Sequence, residues 1–86
     1  MSADAVVDFY WRPGCGFCSR LERVLVGQGV TLRKHDIWEN AADAAVVRSI
    51  ANGNETVPTV VVGPHRMVNP SPDRVLEAIA AVDAGR

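Results

Sequence analysis

The sequence predicts an α/β domain of element order βαβαββα, in which helices flank a four-stranded mixed sheet. Two observations lead to this prediction. The apolar pattern changes repeatedly between strand-like and helix-like periods along the 86 residues, and the composition, 48% hydrophobic and 22% charged, is that of a globular chain. A crossover helix would make the first two strands parallel, and a hairpin would add two antiparallel strands. We expect residues 1–86 to form one domain with one modest core.

The first half of the chain predicts a strand, a helix and a second strand. Residues 5–10 are nearly continuous in apolar character, as is typical of a central strand that is buried on both faces. Residues 30–37 begin with strand alternation. Between them, from Gly16 up to Gly27 and Gly29, the side chains follow the spacing of one helix face. The members of that face are Phe17, Leu21, Val24, Leu25 and Gln28.

The second half predicts another helix and then a β-hairpin. Asn40 is a favourable N-cap for the alanine-rich residues 41–51, and Asn52-Gly53 provides the stop. Residues 59–62 and 66–68 are predicted strands that a Gly-Pro turn would join.

The last predicted element is a helix that begins at Ser71 and Pro72. Ser71 suits the N-cap, and Pro72 suits the first helical position because its missing N–H would be unpaired there anyway. Helical spacing predicts a buried stripe on this helix. Its expected members are Val75, Leu76, Ile79, Ala80 and Val82.

Charge and the start of the chain exclude several kinds of partner. Nine basic and ten acidic residues give a formal net charge of −1, and no basic run is long enough to neutralise a row of phosphates. Residues 1–5 have neither the basic nor the apolar region of a signal peptide. No apolar run approaches the ~18 residues of a membrane span. We therefore expect a cytoplasmic monomer that binds neither nucleic acid nor membranes.

Both cysteines of the chain lie in the stretch Cys15-Gly16-Phe17-Cys18. A structural disulfide is rare in a reducing compartment, and so short a loop gains little stability from chain entropy. Cys15 falls where the first strand feeds a helix, so backbone N–H groups and the positive end of the helix dipole should stabilise its thiolate. We expect Cys15 to be the exposed attacking sulfur. Cys18, one turn further, could then attack a mixed disulfide on Cys15.

These cysteines, followed by Thr56-Val57-Pro58-Thr59-Val60 in a βαβαββα order, resemble a glutaredoxin of the thioredoxin superfamily over nearly the whole chain. Residues 52–60 together with Asn69-Pro70-Ser71 are most similar to the actinobacterial mycoredoxins. The resemblance implies a thiol–disulfide oxidoreductase that acts on S-thiolated proteins. It also implies mycothiol, which replaces glutathione in actinobacteria, or glutathione itself as the reducing co-substrate, with no tightly bound cofactor.

The resemblance assigns roles to several other residues. Pro58 would be a cis-proline opposite the cysteines, and the Val57 backbone would pair with the peptide-like part of a bound thiol. Arg12 matches the position of a lysine that, in many glutaredoxins, attracts the thiol's carboxylate and stabilises the thiolate. Thr56 would belong to the same substrate-binding set, as would Phe17, which we expect to form a wall of the loop or a core contact.

The chain departs from the glutathione-using pattern after the hairpin. Those glutaredoxins carry Gly-Gly, a variable residue and then Ser/Thr-Asp, whereas this chain reads Val-Asn-Pro-Ser-Pro-Asp over residues 68–73. The glutathione clamp is therefore missing, and Pro72 removes one N–H that could bind a carboxylate. Ser71 and Asp73 could still meet a sugar hydroxyl, which favours mycothiol. Mycoredoxins place tryptophan before the first cysteine, where this chain has Gly14.

A metal or iron–sulfur carrier is one alternative use of the two cysteines. Zinc needs four ligands, and only His35 and His65 remain, at spacings that match no common zinc module. Cluster-carrying monothiol glutaredoxins share Cys-Gly-Phe but follow it with serine, where this chain has Cys18. We therefore expect no metal site. Neither histidine is expected to act as a general base, and we interpret His35 as an exposed strand residue.

Two further alternatives stay open. A ribonucleotide-reductase-type redoxin would be glutaredoxin-like in sequence but reduced by thioredoxin reductase, and a redox-gated binding module would recognise a partner without turnover. Trp11 could flank the thiol groove or lie buried beneath the loop, and we interpret Trp38 as a packing residue.

Overall fold

The computed structural model describes residues 5–85 and contains the predicted order of elements. Residues 1–4, on which the expectation about a signal peptide mainly rested, lie outside this range, as does residue 86. The strands are β1 (Val7–Trp11), β2 (Leu32–Asp36), β3 (Thr59–Val62) and β4 (His65–Val68), and the helices are α1 (Gly16–Gly27), α2 (Ala41–Ile50) and α3 (Pro72–Ala84).

The four strands form one mixed sheet of order β2-β1-β3-β4. β1 is central, as predicted: it pairs in parallel with β2 and antiparallel with β3, while β3 and β4 form the antiparallel hairpin. The carboxyl ends of β1 and β2 therefore lie side by side, together with the amino end of β3. The cysteine loop begins at this end of the sheet.

The alternation of side chains along β1 places them in two apolar clusters. Val7 and Phe9 belong to the larger cluster, with residues of α1 and α3, and Tyr10 belongs to a smaller cluster with residues of α2. Phe9 is fully buried, and burying a side chain of that size stabilises the fold by about 1.5–3 kcal/mol. The sheet thus holds α1 firmly on one face and α2 on the other.

The buried faces of two helices differ from the predicted ones. In α1 the buried stripe is Cys18, Leu21 and Leu25, whereas Phe17 and Val24 are 61% and 39% exposed. Phe17 and Val24 flank this stripe and line an open groove between α1 and the segment that leads into α3, which leaves both side chains exposed. The predicted Gln28 is exposed as well.

In α3 the buried positions are Val75 and Ala78, and the predicted Ala80 is exposed. Leu76, Ile79 and Val82 are partly buried against the larger cluster. The apolar pattern of the sequence does not distinguish one alanine of α3 from another. Packing in the folded protein decides which alanine is covered. Among residues 5–85, no helix has both the length and the apolar character needed to cross a bilayer.

Candidate active site

Cys15 is the N-cap residue of α1. Its backbone is extended (φ −94°, ψ 105°), and its Sγ accepts a hydrogen bond from the backbone N–H of Cys18 at 3.2 Å. Oxygen-bearing side chains usually fill this position because the first N–H groups of a helix lack intrahelical partners. A sulfur in their place receives a backbone N–H donor and lies at the positive end of the helix dipole.

Cys15 is less accessible than the sequence suggested. It is 8% exposed, so the expectation of an exposed sulfur is wrong, although Cys18 is more deeply buried at 2%. Its Sγ also lies 3.8 Å from the carbonyl oxygen of Val57. Packing of the Val57 loop over the start of α1 accounts for this burial. Both cysteines are free thiols.

Cys18 differs from Cys15 in its electrostatics as well as in its burial. Burial raises the pKa of Cys18 to about 12, and its hydrogen bond with Cys15 acts in the same direction because it favours the protonated donor. A backbone hydrogen bond from Arg12, together with the positive charge of that residue, partly opposes the rise. Cys18 is therefore a thiol at neutral pH, positioned beside a sulfur that receives an N–H donor.

The loop opposite the cysteines contains a cis peptide bond between Val57 and Pro58, which confirms the prediction for Pro58. Two hydrogen bonds fix this loop. The hydroxyl of the fully buried Thr59 donates to the carbonyl of Thr56 at 2.7 Å, and the N–H of Asn69 donates to the carbonyl of Pro58 at 2.7 Å. The Val57 carbonyl is thereby held against Cys15.

Arg12 follows β1 and is partly buried. One of its guanidinium nitrogens donates to the Pro13 carbonyl at 3.2 Å, and its guanidinium carbon lies 5.2 Å from the ring centroid of Trp38. The interpretation of Trp38 as a packing residue is wrong, because its side chain is 63% exposed. Trp11 instead packs against the larger cluster, with the Lys34 ammonium 4.7 Å from its ring centroid.

Phe17 is exposed and is not a core contact. It lines, with Leu21, Val24, Pro70 and others, a groove of about 200 Å³ between α1 and the segment that leads into α3. The guanidinium carbon of Arg20 lies 5.5 Å from the Phe17 ring centroid. The groove is thus apolar, with one cation at its side.

Ser71 and Asp73 lie at the amino end of α3, beside this groove. Ser71 is the N-cap, as predicted, and its Oγ accepts the N–H of Arg74 at 3.2 Å. Asp73 lies in the first turn and is exposed. The Ser71 hydroxyl keeps its own proton available for donation, while the Asp73 carboxylate can only accept.

A polar network on the α2 face of the sheet was not expected from the sequence. His35 is half-buried, so its interpretation as an exposed strand residue is wrong. It stacks on Tyr10, with ring centroids 4.6 Å apart, and its Nε2 lies 2.8 Å from Asp8 Oδ1. Partial burial pushes the pKa of Asp8 upward, but hydrogen bonds with Arg33 and His35 outweigh it and leave that pKa below its usual value. A period-2 pattern cannot show this network, because its members are distant in sequence.

Within residues 5–85, no group of three or more histidine, cysteine, aspartate or glutamate side chains has an arrangement that could hold a metal ion.

Comparison with known proteins places the chain in a family. A sequence model described as glutaredoxin matches residues 7–67. Proteins named as glutaredoxins in two strains of Mycobacterium tuberculosis are 38% identical to the chain over 72 residues, which is 83% of this chain and 86% of theirs.

Solved structures agree with this assignment. The glutaredoxin of Archaeoglobus fulgidus superposes with a TM-score of 0.72 at 26% identity, covering 87% of this chain and 86% of that one. A buckwheat glutaredoxin in complex with glutathione superposes with a TM-score of 0.68 at 16% identity, over 94% of this chain and 78% of that one, and shows the shared fold. The chain therefore belongs to the glutaredoxin family of thiol oxidoreductases.

Proposed function

We propose that this chain is a dithiol glutaredoxin of the mycoredoxin type, which reduces disulfides between proteins and a low-molecular-weight thiol, with Cys15 as the nucleophile. One observation carries the assignment of roles: the two thiols are unequal. Cys15 Sγ receives a backbone N–H at the start of α1, whereas burial raises the pKa of Cys18 to about 12. An attacking sulfur must be ionised, and burial opposes the ionisation of Cys18, which leaves Cys15 at the start of α1 as the attacking sulfur.

The proposed cycle begins with attack by the Cys15 thiolate on the small thiol's sulfur in a protein mixed disulfide. The old S–S bond breaks, the protein thiolate leaves and takes up a proton, and a new disulfide joins Cys15 to the small thiol. A second molecule of the small thiol, as thiolate, attacks that disulfide, regenerates Cys15 and forms the oxidised small thiol. In the net reaction, the mixed disulfide and one further molecule of small thiol become the protein thiol and the oxidised small thiol.

Cys18 provides a second way to release the small thiol from Cys15. After losing its proton, it can attack Cys15 Sγ, expel the small thiol and leave a Cys15–Cys18 disulfide. Burial raises the pKa of Cys18 to about 12 and so keeps it protonated near neutral pH in the reduced protein. The monothiol route therefore dominates near neutral pH, and the dithiol route gains as pH rises.

The residues that we propose to bind the substrate lie on segments near this pair. The cis Val57–Pro58 loop offers backbone groups beside Cys15, Thr56 continues that surface, and Phe17 forms the wall of the apolar groove. Arg12 supplies a positive charge at the loop that leads to Cys15. Each of them would orient the small thiol so that its sulfur meets Cys15.

Two observations favour mycothiol as the small thiol. The relatives at 38% identity come from Mycobacterium tuberculosis. Pro72 stands at the first position of α3, where it removes an N–H that could bind a glutathione carboxylate, while Ser71 and Asp73 offer partners for hydroxyl groups. Mycothiol carries hydroxyl groups on a sugar and a cyclitol ring where glutathione carries carboxylates.

Activity of two single variants tests the roles of the cysteines. With a mycothiol-modified protein as substrate and mycothiol as reductant, Cys15→Ser should abolish release of the protein thiol. Cys18→Ser should keep much of the wild-type rate at neutral pH, because it retains the monothiol route. An equal loss in both variants would show that both sulfurs are needed for every turnover and would overturn the proposed division of roles.

A further inference from the structure

Trp38 is a large aromatic side chain that the fold holds in solvent. In the loop after β2, the N–H of Ile37 donates to the Trp11 carbonyl at 3.0 Å, and the Ile37 side chain is 4% exposed. The N–H of Trp38 donates to Asp36 Oδ1 at 2.9 Å, while its side chain is 63% exposed. Inward anchoring of Ile37 thus fixes the outward position of the next residue.

Arg12 covers only part of the surface of the Trp38 indole. The guanidinium carbon of Arg12 lies 5.2 Å from the ring centroid, within the ~6 Å range of a cation–π contact. Because the 63% exposure of Trp38 is measured with Arg12 in place, most of the indole surface stays available to a ligand. Exposed aromatic residues of this kind are favoured at binding sites, where one part stays wet and another meets an apolar surface.

Arg12 brings hydrogen-bonding capacity to the same place. Its one side-chain hydrogen bond among the described residues goes to the Pro13 carbonyl, and no ion pair within residues 5–85 involves it. A guanidinium has five N–H donors, so most of them remain available. Arg12 directly follows β1 and begins the loop that leads to Cys15, so the pair lies at the end of the sheet where that loop starts.

We propose that Trp38 and Arg12 together form a subsite for a polyhydroxylated ring of the small thiol, with the indole packing on the C–H face of the ring and the guanidinium donating to its hydroxyl oxygens. This inference rests on the proposed function, because the ring must belong to a thiol that reacts with Cys15. Trp38 then contributes twice: it contacts the ring, and it holds the guanidinium in place.

The subsite differs in chemistry from one for a carboxylate. A carboxylate would need the guanidinium alone, and a bulky, exposed indole would add little to a bidentate ion pair. A sugar or cyclitol ring presents both apolar C–H groups and hydroxyl oxygens, which match an aromatic face and several N–H donors. The two kinds of ligand therefore make different demands on Trp38.

The test compares disulfides with and without the ring. In the Cys18→Ser background, the rate of the Cys15 adduct is followed by intact mass with mycothiol disulfide, with glutathione disulfide, and with the disulfide of N-acetylcysteine amide, which keeps the cysteinyl part and lacks both rings. In all three reactions, attack by the Cys15 thiolate forms one disulfide bond to Cys15, breaks the disulfide bond of the reagent and expels one molecule of the small thiol.

We expect Trp38→Ala to slow the reaction with mycothiol disulfide roughly fivefold, the size of one lost aromatic contact, and to leave the ringless disulfide unaffected. Trp38→Phe should restore most of the rate. Val46→Ala serves as the matched control, because it shortens an exposed apolar side chain outside the proposed subsite, on α2. It should change neither the rate with mycothiol disulfide nor the rate with the ringless disulfide.

Three results would overturn the inference. An equal slowing of all three disulfides by Trp38→Ala would indicate a general effect on Cys15, and no slowing of any would show that the indole takes no part. A greater slowing with glutathione disulfide than with mycothiol disulfide would show that the indole does not select a polyhydroxylated ring. Failure of the proposed function is separate, since it would appear as absence of any adduct in the Cys18→Ser protein with Trp38 intact.

Discussion

The hydroxyl of Thr59 holds the cis-proline loop in position, and its removal should affect both stability and substrate binding. Thr59 is fully buried in β3, and its Oγ1 donates to the Thr56 carbonyl at 2.7 Å. Thr59→Val keeps the volume but leaves this carbonyl without its donor. The free energy of unfolding should fall by about 1–2 kcal/mol, the cost of a partly buried acceptor that loses its hydrogen bond.

The functional effect follows from the position of Val57. Because the Thr56–Pro58 segment places the Val57 carbonyl 3.8 Å from Cys15 Sγ, loosening it should weaken substrate binding more than the chemical step. Urea denaturation measures the loss of stability, and steady-state kinetics with a mixed disulfide should show a higher KM at nearly unchanged kcat.

Thr59→Ser is the matched control. It keeps the hydroxyl and removes one buried methyl, which costs about 1 kcal/mol, so its KM should stay at the wild-type value. The reasoning fails if Thr59→Ser raises KM as much as Thr59→Val, because loss of packing would then explain both, or if Thr59→Val has wild-type stability and KM.

Two further predictions concern ionisation. In the reduced protein, iodoacetamide should alkylate Cys15 long before Cys18 at pH 7. Labelling of Cys18 should rise with pH because burial raises its pKa to about 12. Peptide mass mapping measures the order of labelling, and Cys18 labelled first would contradict this prediction. Asp8→Asn should lower the free energy of unfolding at pH 7 by about 1 kcal/mol. Because the folded-state pKa of Asp8 lies below 3.8, the wild-type advantage is present above that value and is lost as pH falls through the folded-state pKa. Glu55→Gln, in a more exposed ion pair, should change stability less; equal effects of both variants at every pH would refute the role given to Asp8.

Features set by local sequence were predictable. Asn40 and Ser71 cap their helices as expected, because an N-cap depends on a side chain and the N–H groups two or three residues away. The cis-proline was also predicted, but through family resemblance, since most X-Pro bonds are trans and nothing local distinguishes Pro58. Element order and the mixed sheet followed from changes in apolar period.

Features set by tertiary contacts were not predictable. Phe17 has the spacing of a core residue, yet it is exposed because it flanks the groove beside α3, and periodicity gives a helix face without showing what covers each part of it. The sequence predicts that His35 is a solvated strand residue. In the structure, parallel pairing of β1 and β2 places it against Tyr10 and beside Asp8. Trp38 resembles a packing residue because hydrophobicity alone does not reveal that the loop directs it outward.

The accessibility of the cysteines shows the same limit. The sequence indicated which sulfur lies at the helix start, and Cys15 is indeed the N-cap. Its 8% exposure depends on the Val57 loop, which is 42 residues away in sequence.

The most direct test of the central claim is the intact mass of Cys18→Ser after separate exposure to mycothiol disulfide and glutathione disulfide. Cys15 is then the only thiol of the chain, so any disulfide adduct identifies the reactive sulfur. We predict an adduct that forms faster with mycothiol disulfide. Faster reaction with glutathione disulfide would contradict the mycoredoxin assignment, and no adduct with either would contradict the role of Cys15 as the nucleophile.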